Sequence, residues 1–194
     1  MTVADQSVRA FLDGVATGGV TPGGGATAAV AGAAGAALLE MVCANTLRQD
    51  GTPDGRGELV ELRELFADRR DHLLALADED VEAVESLMAA YRTPDGDGRE
   101  DAIRTASVRA TEVPVEIAEA CQELLVRAPT VIETGTANAV ADGVVGLHLT
   151  YGALEAMVYT VDVNLGAIDD GSATESLARR ANTAAQVGET AYEE

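Results

Sequence analysis

The run GGGATAAVAGAAGAALLEMVCANTLR, from Gly23 to Arg48, constrains the fold more than any other stretch of this chain. It contains no proline and is rich in alanine, the strongest helix former, so it reads as one long helix with its glycines at the start, where they cost least. Read at four-residue steps, one ridge is Gly24, Ala28, Gly32, Ala36 and the next is Gly25, Ala29, Ala33, Ala37. Two adjacent ridges without bulk let another helix come unusually close. Such a helix belongs at the centre of a domain or across a dimer. Ala26 to Ala44 has nearly the length of a membrane span, but it is Ala and Gly rather than Leu and Ile and carries Glu40, so a span is not expected.

The remaining sequence supports a helical reading. Hydrophobic residues make up 47% but aromatics 3%, with no Trp, so the core must be Ala, Val and Leu at close backbone spacing rather than a β-sandwich interior. A short amphipathic helix is predicted over Ser7–Ala16, with Val8, Phe11, Leu12 and Val15 on one side. After the turn-rich connector Gly51–Gly57, a long amphipathic helix is predicted from Glu58 to about Tyr91. Thr93–Asp101 breaks the chain again. A fourth helix is expected from about Ala102 to Arg127, kinked or split at Pro114. A fifth, from about Asn138 to Leu165, is apolar almost all round and is expected to be central and buried. A polar, peripheral helix over Ser172–Ala191 closes the chain. The expected fold is all-α: a single domain spanning residues 1–194, with about five to six helices around long Ala/Gly-rich ones.

With 33 acidic residues against 13 basic ones, all of them Arg, the net charge of −20 repels phosphate backbones and anionic lipid. Nucleic acid and membrane surfaces are therefore not expected partners. The acids are spread along the chain, which reads as adaptation to a salt-rich cytoplasm rather than as an interaction tail. Cys43 and Cys121 lack the spacing of a zinc site or disulfide framework, so no metal is expected. The N-terminus has neither a basic n-region nor an apolar h-region, so a cytoplasmic location is expected.

Some polar residues stand out against this background. In the third helix the apolar stripe Leu59, Leu62, Phe66, Leu73, Leu76 continues at four-residue steps through Asp80 to Val84, which puts a carboxylate in the buried register. Asp78, Glu79 and Glu82 read as an outward, solvated face. In the fifth helix His148, Glu155 and Asp162 recur every seven places with Tyr151 and Tyr159 between them, as on a solvent edge or subunit seam. Asp142 lies near that helix's start, where a negative side chain suits the macrodipole.

TPGGG alone is a weak signal, since no strand precedes it and no G-K-[ST] follows. Taken with its surroundings, SVRAFLDGVATGGVTPGGGATAAVAGAAGAALLEMVCANTL resembles the start of the cyclodeaminase/cyclohydrolase family of folate enzymes. The resemblance continues in order through ADEDVEAVESLMAAYRTP, VPVEIAE and the segment from ADGVVG to VDVNL. It implies an all-helical subunit, a dimer, and action on a one-carbon unit of tetrahydrofolate with no further cofactor and no metal. It also implies that Asp80 is the proton acceptor, with Asp78 as the first acid of the same step. Thr21, Pro22, Gly23, Gly24 and Gly25 would form the substrate loop.

Further along, the family's G-N step stands here as Gly135-Thr136, its S-D pair as Ala141-Asp142, and its N-V-x-x-N pattern keeps Asn164 but has Thr160 first. Asp142 and Asn164 are the surviving candidates for substrate contacts. Arg48 stands where the family carries lysines and is the candidate for the anionic glutamate tail. Asp142 and Asn164 lie on one helix face about 33 Å apart at 1.5 Å per residue. If both matter, they hold opposite ends of a site, or belong to a site shared by two antiparallel subunits. Hydrolysis of 5,10-methenyltetrahydrofolate is the expected reaction. Formiminotetrahydrofolate cyclodeamination is the alternative, and a folate-binding protein without chemistry is the second alternative.

Overall fold

The computed structural model describes residues 2–49, 56–96, 98–168 and 171–193. Among these, six helices follow in order: α1 (Val8–Ala16), α2 (Gly24–Leu47), α3 (Arg56–Arg92), α4 (Arg99–Thr134), α5 (Val140–Leu165) and α6 (Gly171–Glu193). The expected connector at Gly51–Gly57 lies largely outside the described residues, with Arg56 and Gly57 already in α3.

α2 is the centre of the bundle and packs on α3, α4 and α5. Its bare ridges are used as expected, with Gly25, Ala28, Ala29, Gly32, Ala33 and Ala36 all buried. The closest approach to another backbone, however, falls at Gly35, outside both predicted ridges. A Cβ there would meet Thr150 Oγ1 at 2.3 Å and the Gly146 carbonyl at 2.8 Å, and one on Gly146 would meet the Gly35 carbonyl at 2.9 Å. Gly32 against Ala153 and Val42 against Gly143 continue this contact. Their order shows that α2 and α5 run antiparallel.

Two expectations are corrected. First, α4 is neither split nor stopped at Pro114; it starts at Arg99 and runs to Thr134 with Pro114 and Pro129 inside it. A proline at position 114 removes the donor for the Ala110 carbonyl one turn earlier. Here Asn164 Nδ2 of α5 donates to that carbonyl at 3.1 Å, so the backbone group freed by the ring is satisfied from a neighbouring helix. Second, α5 is not buried all round. Gly143, Gly146, Thr150, Ala153, Leu154, Met157 and Val161 face the bundle, while Val145, Leu149, Tyr159 and Val163 face outward.

Ion pairs bind the outer helices. Arg109 of α4 pairs with Glu79 of α3 and with Glu112 and Glu116 of its own helix, and Arg180 of α6 grips Glu119 through two bonds of 2.7 and 2.8 Å. Glu79 is therefore paired rather than simply solvated. Both cysteines are buried, and burial pushes the Cys43 thiol up to about 11 and the Cys121 thiol up to about 12. They behave as small core residues.

Candidate functional site

The start of α2 is an unusual helix end. Its N-cap is Gly23, which has no side chain to satisfy the first N–H groups. Asp80 of α3 does that work from outside the helix: its Oδ2 accepts the Ala26 N–H at 2.9 Å, the bond an N-cap side chain normally makes to the third residue of a helix. The carboxyl fits only because Gly25 is bare. A Cβ on Gly25 would lie 2.1 Å from Asp80 Oδ1 and 2.7 Å from Oδ2.

Asp80 is 6% exposed, as its place in the α3 stripe requires. Burial raises its pKa above the ordinary carboxylate value, and the Ala26 N–H opposes that rise without cancelling it. The result is a single desolvated carboxyl, aimed at a bare helix end, whose proton affinity is raised toward the range of a useful base. Arg109 of α4 reaches Glu79, the residue before Asp80, but is committed to Glu79, Glu112 and Glu116.

The loop before α2 is held from three sides. Thr21 Oγ1 donates to Glu85 Oε1 at 3.1 Å, and Thr27 Oγ1 donates to the Gly23 carbonyl at 2.8 Å. The end of α1 backs the loop, with Gly14 packed on the Pro22 ring. Next to the loop opens a mostly apolar groove of about 670 Å³, walled by Val15, Pro22, Gly23, Gly24, Ala28 and Ala31 on one side and by His148, Leu149, Gly152 and Ala156 on the other. His148 Nδ1 is 2.7 Å from the Tyr192 hydroxyl, and Tyr192 stacks on Tyr151 with ring centroids 3.9 Å apart.

The groove and the Asp80 carboxyl do not coincide. At about 100° per residue, Gly24, Thr27, Ala28 and Ala31 point roughly 160° around α2 from the Gly25 and Ala26 positions that meet Asp80. Both touch the helix end, however, where Gly23, Gly24 and Gly25 offer no side chain between them. The groove offers mostly apolar walls, and Asp80 offers a buried carboxyl at the same helix end.

The other sequence candidates divide between the two ends of the bundle. Asn164 lies at the Asp80 end, about 16 Å beyond Ala153 along α5, with its amide nitrogen spent on the Ala110 carbonyl. Asp142 and Arg48 are exposed at the opposite end. From the Gly32–Ala153 contact, Gly24 lies about 12 Å one way and Asp142 about 16 Å the other, so they stand about 28 Å apart along the bundle. Arg48 is farther still, about 36 Å from Gly24 along α2. Asp78 is close to Asp80 in sequence, but its Oδ1 accepts the Val3 N–H at 2.7 Å. Nothing in the sequence pointed to the Ala26 or Val3 N–H groups, because backbone donors carry no residue code. Among the described residues, no group of His, Cys, Asp and Glu is arranged to hold a metal ion.

Residues 7–183 match the model of the formiminotransferase-cyclodeaminase family. Among curated proteins, the chain is 34% identical over 171 residues to methenyltetrahydrofolate cyclohydrolase of Methylorubrum extorquens, covering 86% of this chain and 82% of that protein. It is 27% identical to formimidoyltransferase-cyclodeaminase of Rattus norvegicus, where 97% of this chain spans 36% of the longer protein. Among solved structures, formiminotetrahydrofolate cyclodeaminase of Thermotoga maritima superposes with a TM-score of 0.92 at 28% identity, over 98% of this chain and 94% of that one.

Proposed function

The chain belongs to the formiminotransferase-cyclodeaminase family, and on that premise we propose that it hydrolyses 5,10-methenyltetrahydrofolate to 10-formyltetrahydrofolate with Asp80 as the proton carrier. The observation that carries the reading is the buried carboxyl of Asp80, seated against bare Gly25 at a helix N-terminus. The identity to a methenyltetrahydrofolate cyclohydrolase over most of both chains selects the substrate.

The methenyl bridge is a cationic amidinium and is already electrophilic. Water adds to its carbon while Asp80 takes a proton from that water, giving a neutral tetrahedral adduct. The adduct then collapses: the bond from carbon to N5 breaks, the carbonyl of the N10-formyl group forms, and N5 receives a proton returned by Asp80. The second proton of the water leaves to solvent. General acid–base catalysis of this kind contributes about 10²–10⁴-fold. Thr21, Pro22, Gly23, Gly24 and Gly25 let the flat ring system lie against the helix end, whose N–H groups also favour anionic parts of the ligand. The ring occupies the groove, and the reacting carbon reaches Asp80 across the bare turn.

We infer further that the enzyme works as a homodimer in the cytoplasm. The outward face of α5, with Val145, Leu149, Tyr159 and Val163, is the surface such a dimer would cover. A two-fold axis near Gly152 with antiparallel α5 helices brings residue 142 of one subunit level with residue 162 of the other, the level at which Gly24 lies. Asp142 of the partner subunit would then face the groove and stabilise the cationic bridge. Arg48 of the partner subunit would reach the glutamate tail, and Asn164 would hold the α4–α5 wall.

The test is the loss of methenyltetrahydrofolate absorbance in molar KCl, beside an Asp80→Asn variant. Turnover by the wild type that falls about 10²–10⁴-fold in the variant, with ligand binding retained, is the expected result. The likeness to a formiminotetrahydrofolate cyclodeaminase structure favours a second reading, in which N10 attacks the formimino carbon and ammonia leaves. Ammonia release without methenyl hydrolysis would select it, and folate binding without either reaction would mark a binding protein.

A further inference from the structure

Asp78 and Asp80 sit two residues apart on α3, yet the structure gives them unlike partners. Asp80 meets the start of α2, whereas Asp78 meets the start of the chain: its Oδ1 accepts the Val3 N–H at 2.7 Å. The segment that follows Val3 is locally ordered. Thr2 Oγ1 donates to Asp5 Oδ2, the Asp5 and Gln6 N–H groups close turns onto the Thr2 and Val3 carbonyls, and Ser7 Oγ caps α1 by accepting the Ala10 N–H. Val3 and Phe11 are both buried in the main core.

Residues 3–14 thus form a strap between two fixed points, and α1 is a rigid rod about 13 Å long that makes up its later part. One is the Val3–Asp78 bond on α3, and the other is Gly14 packed on Pro22, where Val15 also enters the groove wall. The strap links the turn that carries Asp80 to the loop that carries Gly23, Gly24 and Gly25. Moving its first residue shifts the backing of that loop.

We propose that Asp78 is a positioning residue, which holds the N-terminal strap and through α1 sets the substrate loop; what function requires of it is an acceptor oxygen, not a negative charge. The proposal rests on the reading that the loop binds substrate. It differs from the role implied by the family resemblance, in which Asp78 is itself an acid of the substrate site.

An amide oxygen accepts an N–H as a carboxylate does, whereas alanine accepts nothing. Asp78→Asn is therefore expected to keep kcat/KM within about threefold of wild type, and Asp78→Ala to lose roughly tenfold or more, the scale of a backbone N–H left without its acceptor. The Ala loss appears in KM rather than kcat. Val3→Pro removes the donor from the other side of the bond and should act the same way, with the double variant Val3→Pro/Asp78→Ala no worse than the more severe single variant. Hydrogen exchange of the amides from Asp5 to Val15 supplies a readout independent of turnover. Protection is retained in Asp78→Asn and lost alike in Asp78→Ala and Val3→Pro. Equal loss of turnover in Asn and Ala, or unchanged protection in Asp78→Ala, overturns the proposal. Inactive wild-type protein would sink the cyclohydrolase reading alone, leaving the exchange result to decide on the strap.

Discussion

Gly25 and Gly35 lie on the same helix and are bare for opposite reasons. Gly25 makes room for a carboxyl: the atoms a Cβ would strike all belong to Asp80. Gly35 makes room for a helix, and the atoms in its way include the Gly146 carbonyl and the Thr150 N–H nitrogen. One end of α2 is therefore shaped around a titratable group and its middle around another backbone. Small residues in a helix thus do not have one meaning: what faces them decides whether a substitution strikes chemistry or folding.

The comparison can be broken first at Gly25. Gly25→Ala puts a methyl where the Asp80 carboxyl lies, and because that carboxyl ends a short side chain it must swing away, losing the Ala26 N–H. Turnover is expected to fall by about 10²–10⁴-fold, the range for a misplaced general base, while the circular dichroism of the folded protein is kept. A Gly25→Ala enzyme with wild-type kcat/KM would show that Asp80 acts only as a cap for α2. Gly35→Ala should reverse the pattern. Its methyl meets backbone that cannot rotate aside, so α2 and α5 must part at a cost of about 1–3 kcal/mol, read from the urea midpoint. Activity per folded molecule changes far less than in Gly25→Ala.

A third difference separates the sites by pH. Because burial raises the Asp80 pKa in the folded state, its protonated form is the one that folding favours. The stability it contributes is fully present below the ordinary carboxylate pKa of 3.8 and is lost as pH rises through the raised folded value. At neutral pH the wild type thus carries a penalty. Asp80→Asn keeps an oxygen for the Ala26 N–H and never ionises, so it should be more stable than wild type at pH 7. That advantage should shrink as pH falls below the ordinary carboxylate range. Parallel stability–pH curves for the two proteins would show that Asp80 is not desolvated. The same ionisation should appear in kcat/KM, with activity lost on the acid side at a pH above that of an ordinary Asp.

Much of this was legible in the sequence. The alanine run set α2 as a packed central helix, and the α3 stripe put Asp80 in the buried register because a four-residue step is a property of the helix itself. Composition favoured packed helices over a β-sandwich core. What could not be read were contacts made by backbone groups. The Ala26 N–H on Asp80 and the Val3 N–H on Asp78 depend on which helix end meets which turn. The break allowed for at Pro114 has a similar origin: a local rule gave a kink or a break, but the freed Ala110 carbonyl found Asn164 on another helix and α4 runs through unbroken. That proline does orphan a defined carbonyl, and seeking its partner is the signal the sequence offered. The outward face of α5 was misjudged because an apolar residue carries no sign of whether another helix of the bundle covers it, and Val145, Leu149, Tyr159 and Val163 are left uncovered.

The smallest effect supplies the reference for the others. Gly57 also lies in a helix, near the start of α3, and a Cβ added there meets nothing within 4 Å. With neither a carboxyl nor a backbone to accommodate, its bareness carries only the entropic cost that glycine brings to a helix. Gly57→Ala is therefore expected to stabilise the protein by about 0.5–1 kcal/mol without changing kcat/KM, as read from the same urea titration. The sign is the informative part. A gain at Gly57 beside losses at Gly25 and Gly35 isolates the contacts as the cause, since the intrinsic helix preference for alanine is common to all three positions. A loss at Gly57 of the size seen at Gly35 would mean that this end of α3 is covered by another chain, and would count against the α5 face proposed for a dimer.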